Sequence, residues 1–290
     1  MVVGQGAVVQ SALLRSELVR LRKSSGLTQE QVAGFLEWSP SKLIRVEGGR
    51  SSITKVDLDA LLTRYKVTSE SHRERLHAMN REARTRGWWD RYRENISPAY
   101  LNYVGFEAGA SFIRHFQLGF VPGLLQTAEY AKAVTVGSVK PDDVDSVVRL
   151  RLQRQSELAQ RQRQPRQYYV IDEGAIRRRV GKTERPEIMP DQLRDLADKA
   201  EQDELVTVRI IPFEAGAHPG LFGGPFTLLE FEGGLPDVLY LDVGRGLSTL
   251  ITGNDPQVKA YTDDFDNLLE IALPAEASIE LIRSVAESMH

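Results

Sequence analysis

Cysteine is absent from this chain of 290 residues. Disulfides, a thiolate nucleophile and a cysteine-built zinc site are therefore excluded, and a reducing, cytoplasmic setting fits. Aromatic residues are sparse at 8%. No run of about 18 apolar residues occurs, so no membrane-spanning helix is expected. The opening Met-Val-Val-Gly-Gln-Gly-Ala lacks the basic start and apolar stretch of a secretory leader. The histidines are His72, His77, His115, His218 and His290. Only His72 and His77 are close, and a spacing of i, i+5 splits them across a helix, so no metal site is expected. Neither G-x-G-x-x-G nor G-x-x-x-x-G-K-S/T is present, Gly220-Leu-Phe-Gly-Gly is no phosphate cradle, and Gly244-Arg-Gly246 is too short a signal. Asp172-Glu173 are adjacent carboxylates that read as a helix N-cap and a first-turn charge. No catalytic constellation emerges, and the expectation is a protein that is not an enzyme and needs no cofactor.

The charge is unevenly spread. Residues 1–86 carry 15 Lys and Arg against 9 Asp and Glu, while the remainder carries 22 against 31. A basic head on an acidic body is the electrostatic footprint of a nucleic-acid reader joined to a domain with another job.

Inside the head, residues 27–50 lay out two short helices at helix-turn-helix spacing. Thr28 with Gln31 three residues on forms a capping-box pattern, and Val32, Ala33 and Leu36 give one apolar stripe. Ser39 is placed to cap the second helix, with Pro40 in its first turn. Leu43 and either Val46 or Ile44 face inward, Ser41, Lys42 and Arg45 are left to point elsewhere, and Gly48-Gly49 stops the helix. A second helix docked this way is the one that enters a major groove.

Around the motif, leucines 14, 18 and 21 predict a helix over residues 11–24 ended by Gly26, and Leu58, Leu61, Leu62 and Tyr65 predict another over 55–65. The domain boundaries read as 1–68 for the head, 69–86 for a polar connecting helix with a solvated arginine face, and 87–290 for the body. Trp88-Trp89-Asp90-Arg91-Tyr92 opens the body, and residues 98–109 are mixed in character. Strands are expected at 111–118, 168–171, 206–211, 226–231 and 238–243. Helices are expected at 127–136, 142–164, 173–180, 186–201, 256–271 and 275–288. The body is thus α+β with a small sheet.

The stretches Gly26-Leu27-Thr28-Gln29-Glu30-Gln31-Val32-Ala33 and Ser39-Pro40-Ser41-Lys42-Leu43-Ile44-Arg45-Val46-Glu47-Gly48-Gly49 resemble the Xre/Cro-like family of lambda-repressor-type helix-turn-helix regulators. The body resembles an actinobacterial group of such regulators, the WhiJ-like or Scr1-type set. Its strings are Val121-Pro122-Gly123-Leu124-Leu125-Gln126-Thr127-Ala128-Glu129-Tyr130-Ala131, Ile171-Asp172-Glu173-Gly174-Ala175-Ile176-Arg177-Arg178, Ile211-Pro212-Phe213 and, from Gly216-Ala217-His218-Pro219-Gly220, on to Gly224-Pro225-Phe226-Thr227-Leu228-Leu229-Glu230-Phe231. The resemblance implies regulation of transcription and a neighbouring gene for a small partner protein, the basis of antitoxin-like labels.

It also implies a phosphate contact by Gln29 and a structural role for Glu47, pairing an arginine such as Arg20 or Arg22. Pro40 stands where many relatives carry a polar base reader, and Trp38 is a bulky turn residue expected to pack in the core. The residues expected at DNA are Thr28, Gln29, Ser39, Ser41, Lys42, Arg45 and Arg50. In the body, His218, Gly220 and Phe222 are the candidates for a ligand or partner site, and the 121–131 turn is a second region that glycine and apolar residues open to close approach. The expected partners are double-stranded DNA, a second copy of the chain, and a small protein or small-molecule effector. The alternative is an antitoxin-like protein whose main role is to neutralise a partner.

Overall fold

The computed structural model describes residues 6–242, 248–252 and 255–289. The start of the chain, Gly244-Arg-Gly246 and His290 lie outside the described residues. The chain divides into two compact units, Met1–Trp88 and, leaving 233–235 aside, Trp89–His290.

The first unit is all-α: α1 (Ala7–Ser24), α2 (Gln29–Phe35), α3 (Pro40–Glu47), α4 (Lys55–Arg64) and α5 (Glu70–Glu82). α1 starts four residues before the leucine periodicity indicates, because Ala7, Val8 and Val9 prolong its apolar run. Gly26 turns the chain out of it at φ +68, a left-handed conformation in which glycine has no Cβ to clash. Thr28, Thr54 and Ser69 each cap the helix that follows by accepting a backbone N–H, and Gln31 completes the capping box at Thr28.

The apolar sides of all five helices meet in one core of Leu14, Leu18, Val32, Leu43, Val46, Leu58, Leu61, Leu62 and Leu76. α5 is part of this packing: Leu76 is fully buried, and its polar side reaches back to the other helices. His72 lies 2.9 Å from Glu17 of α1, while Arg73 and His77 lie 2.9 and 2.8 Å from Asp59 of α4.

The second unit is α+β. Its six strands are β1 (Phe112–Gln117), β2 (Arg166–Asp172), β3 (Val206–Ile211), β4 (Phe226–Glu230), β5 (Val238–Asp242) and β6 (Ser248–Ile251), in the order β3-β2-β1-β4-β5-β6. β1, β2 and β3 run parallel, whereas β4, β5 and β6 continue the sheet as an antiparallel meander. Parallel neighbours need long crossovers, and helices supply them: α7 (Ala128–Thr135) and α8 (Val144–Ala159) between β1 and β2, α9 (Glu173–Arg177) and α10 (Ile188–Gln202) between β2 and β3. α6 (Pro98–Glu107) precedes the sheet, the single turn α11 (Pro219–Gly223) leads into β4, and α12 (Pro256–Ile271) and α13 (Ala275–Glu287) follow β6.

The pleat sorts the residues between two faces. Phe116, Val170, Phe226, Leu228 and Leu239 pack with Val258, Phe265 and Leu268 of α12. On the opposite face Tyr103 of α6 stacks on Tyr240 with ring centroids 4.1 Å apart.

Three elements are not visible in the periodicity, the first being the single turn α11, whose proline and glycines read as a turn. α6 is buried on nearly every side, so it shows no amphipathic period, although Ser97 caps it and Pro98 fills its first turn. β6 has four residues at the sheet edge, too few for alternation to register.

Candidate nucleic-acid interface

α3 is held in place from below. Its last residue, Glu47, accepts from Arg22 Nε at 2.7 Å and Arg22 Nη2 at 3.0 Å. Gln29 Nε2 donates to the same carboxylate at 2.7 Å. One acid therefore ties α1, the start of α2 and the end of α3 together. Between Arg20 and Arg22 the structure selects Arg22, since Arg20 pairs within its own helix with Glu17. Gln29 keeps one amide N–H beyond the one it gives to Glu47.

Past Glu47, Gly49 is favoured by its backbone conformation. It adopts φ +74, and the space its Cβ would take is filled by the Arg15 guanidinium.

With Leu43 and Val46 buried, the outward side of α3 is settled. Of the two residues offered for the inward position, Val46 takes it, and Ile44 is 45% exposed. Ser41, Ile44 and Arg45 share the exposed stripe, at the three- and four-residue spacing of one helix face. Arg45 and Arg50 are exposed, and neither side chain has a partner among the described residues.

Lys42 is differently placed: its Nζ lies 3.0 Å from Asp57 Oδ1 and 3.9 Å from the centroid of the half-buried Trp38 ring. Trp38 packs against the core edge. Ser39 occupies the N-cap position of α3, but its side chain does not cap. Its Oγ sits 3.2 Å from Ser41 Oγ instead, and this corrects the expected side-chain cap. Thr28 is committed to its capping box, though its position at the head of α2 remains exposed.

In the second unit the sequence candidates separate. His218 is buried at the start of α11, its Nε2 3.2 Å from Asp172 Oδ2 and its ring edge-on to Phe116. Asp172 meanwhile caps α9 by accepting from Gly174 N at 2.7 Å, as its sequence context indicates. A Cβ on Gly220 would clash with the edge of the Phe116 ring at Cε1 and Cζ, so this glycine serves packing. Phe222 is 88% exposed, and Phe213 and Leu221 are exposed as well.

The 121–131 turn is core rather than surface. Val121, Leu124, Leu125, Tyr130 and Ala131 are buried, and its carbonyls at 121, 123 and 125 receive Gln126, Gln155 and Gln192. Close approach there is already taken by the protein itself, which corrects the expectation of an open surface.

Sequence reasoning missed the buried pair Arg154–Glu107, whose contacts are 2.5 and 2.8 Å. Burial opposes the charge, yet the Glu107 carboxylate beside it holds the Arg154 guanidinium well above its ordinary pKa. Tyr100 and Tyr103 complete the cluster. No local pattern joins positions 47 residues apart. Among the described residues no group of three or more metal-ligating side chains comes together, and no helix is long and apolar enough to cross a membrane.

The helical head thus has the form of a helix-turn-helix protein, and residues 13–76 match the helix-turn-helix domain family. Residues 100–284, more than half of the chain, match the family described as a domain of unknown function, DUF5753, and the chain belongs to that family. No curated protein and no solved structure matches it.

Proposed function

We propose that this protein is a sequence-specific, DNA-binding transcriptional regulator. The observation that carries the reading is the outward side of α3: Arg45 and, just past the helix, Arg50 are exposed cations with no side-chain partner among the described residues, on a helix braced by Glu47. Arg45 donates to a guanine edge, with Ser41 beside it. Arg50, Gln29 and the α2 start with Thr28 contact phosphates, which position the head without reading sequence. Ser39 adds a hydroxyl at the rim, and Lys42 contributes charge only when it leaves Asp57.

The test pairs two variants on a preferred duplex and on random DNA. Arg45→Ala is expected to cost about 1–3 kcal/mol on the preferred duplex alone, whereas Arg50→Ala weakens both and lowers the salt slope by about one. Equal losses from Arg45→Ala on both DNAs would reassign it to a phosphate.

One head covers one half-site, so the working form in this reading is a homodimer with half-sites about 34–36 Å apart or a multiple of that. The C-terminal unit takes an effector or a small protein partner. Exposed Phe213, Leu221 and Phe222 support this role, because their rings and methyls lie open beside the ends of parallel strands. The same three residues favour the second reading, an antitoxin-like protein of the WhiJ-like or Scr1-type set that neutralises a partner. Phe222→Asp separates the two. In the first reading it abolishes the effector's influence while leaving basal DNA binding intact; in the second it releases a toxic partner in cells. No catalytic step and no cofactor enters either reading, and both place the protein in the cytoplasm.

A further inference from the structure

We propose that Ile44 is a specificity-determining residue that reads the 5-methyl group of a thymine in the major groove. The inference rests on the DNA-binding reading above and adds a residue which that reading does not use. α3 turns Leu43 and Val46 into the core, so positions 41, 44, 45 and 48 form its outward stripe. Ile44 lies between Ser41 and Arg45 on that stripe and is 45% exposed.

A lone exposed apolar residue is ordinary on a protein surface; the surroundings of Ile44 are what give it meaning. Arg45 follows it directly with no side-chain partner among the described residues, and exposed Arg50 closes the same end of the helix. An apolar protein surface covering Ile44 would strip water from the Arg45 guanidinium and return nothing for it. The major groove answers both side chains at once: guanine offers two acceptors to an arginine, and thymine carries the one methyl group on the groove edges. A β-branched side chain is stiff about χ1, so holding Ile44 against that methyl costs little rotamer freedom. The expected site therefore carries a thymine within a base pair or two of the guanine that Arg45 reads.

The test uses the full chain and the duplex it enriches from a random pool, with each thymine replaced in turn by uracil, which removes the methyl alone. One such replacement is expected to weaken wild-type binding roughly fourfold, the weight of one buried methyl-sized group. Ile44→Ala should bind the thymine duplex correspondingly less well and no longer distinguish it from the uracil duplex, while Ile44→Val should retain the distinction. Uracil tolerated at every position by the wild type, or the same discrimination surviving in Ile44→Ala, overturns the assignment and leaves DNA reading intact. A pool that enriches no sequence overturns the DNA-binding reading itself, and the assignment with it.

Discussion

Arg22 and Glu47 form a two-pronged ion pair, 2.7 and 3.0 Å, between α1 and the last residue of α3. Both side chains are largely shielded from water, and Gln29 donates to the same carboxylate. Removing one partner of such a pair leaves the other charge stranded. Glu47→Ala is therefore expected to destabilise the head by about 3–5 kcal/mol in urea unfolding. Arg22→Lys, which keeps the charge but loses the fork, should cost less than that yet more than a surface substitution. A Glu47→Ala head as stable as the wild type would remove the brace from the account.

Two glycines of one helical turn should behave oppositely. A Cβ at Gly220 meets the buried Phe116 ring, whereas one at Gly223 makes an ordinary contact with Tyr261. Gly220→Ala is expected to cost about 1–3 kcal/mol through overpacking, with Phe116→Leu in the same chain recovering part of it. Gly223→Ala should leave thermal stability within about 0.5 kcal/mol of wild type.

His115 makes stability pH-dependent. Burial, aided by the Arg154 cation, pushes its imidazole down to about 3, and its Nδ1 faces Thr227 Oγ1 at 3.0 Å. The unfolded chain takes up a proton near pH 6.5, which the folded chain resists. The stabilisation is therefore fully present above about pH 6.5 and is lost as pH falls toward the folded value. Since His115 keeps some exposure, the slope from this group is put at about 1 kcal/mol per pH unit or less. His115→Gln should flatten the wild-type stability curve between about pH 6.5 and 4.5. Curves that stay parallel would show that His115 titrates normally.

Lys42 and Asp57 provide a further check. Their ion pair at 3.0 Å keeps the lysine turned toward α4. Asp57→Asn should free it to meet a phosphate, raising DNA affinity and steepening the salt dependence by up to about one unit of slope. An unchanged slope would mean that Lys42 does not reach the duplex.

Much of the head was legible in the sequence because its signals are local. Thr28 and Gln31, Pro40, and Gly48-Gly49 mark helix ends within a few residues, and the leucines at 58, 61 and 62 mark a face. The outward position of Ile44 was not legible: the sequence leaves Ile44 and Val46 as alternatives, because an apolar residue next to Leu43 reads as core until Val46 is seen to fill that place. In the body, the existence of β1 to β5 followed from apolar runs and turn residues, that of β6 did not, and the six-stranded order followed from nothing local: β1 lies between β2 and β4, whose pairing with it joins residues far apart in sequence. For the same reason the burial of residues 121–131 was hidden. The glutamines that receive that turn come from α8, α10 and the turn itself.

The central claim is that the outward side of α3 reads a DNA sequence. Its most direct test is selection of bound duplexes from a random pool by the full chain at physiological salt, followed by titration of the enriched duplex against random DNA. The account predicts one enriched, guanine-containing site bound about a thousandfold or more tighter than random sequence. No enrichment, or equal affinity for the enriched and random duplexes, would contradict it.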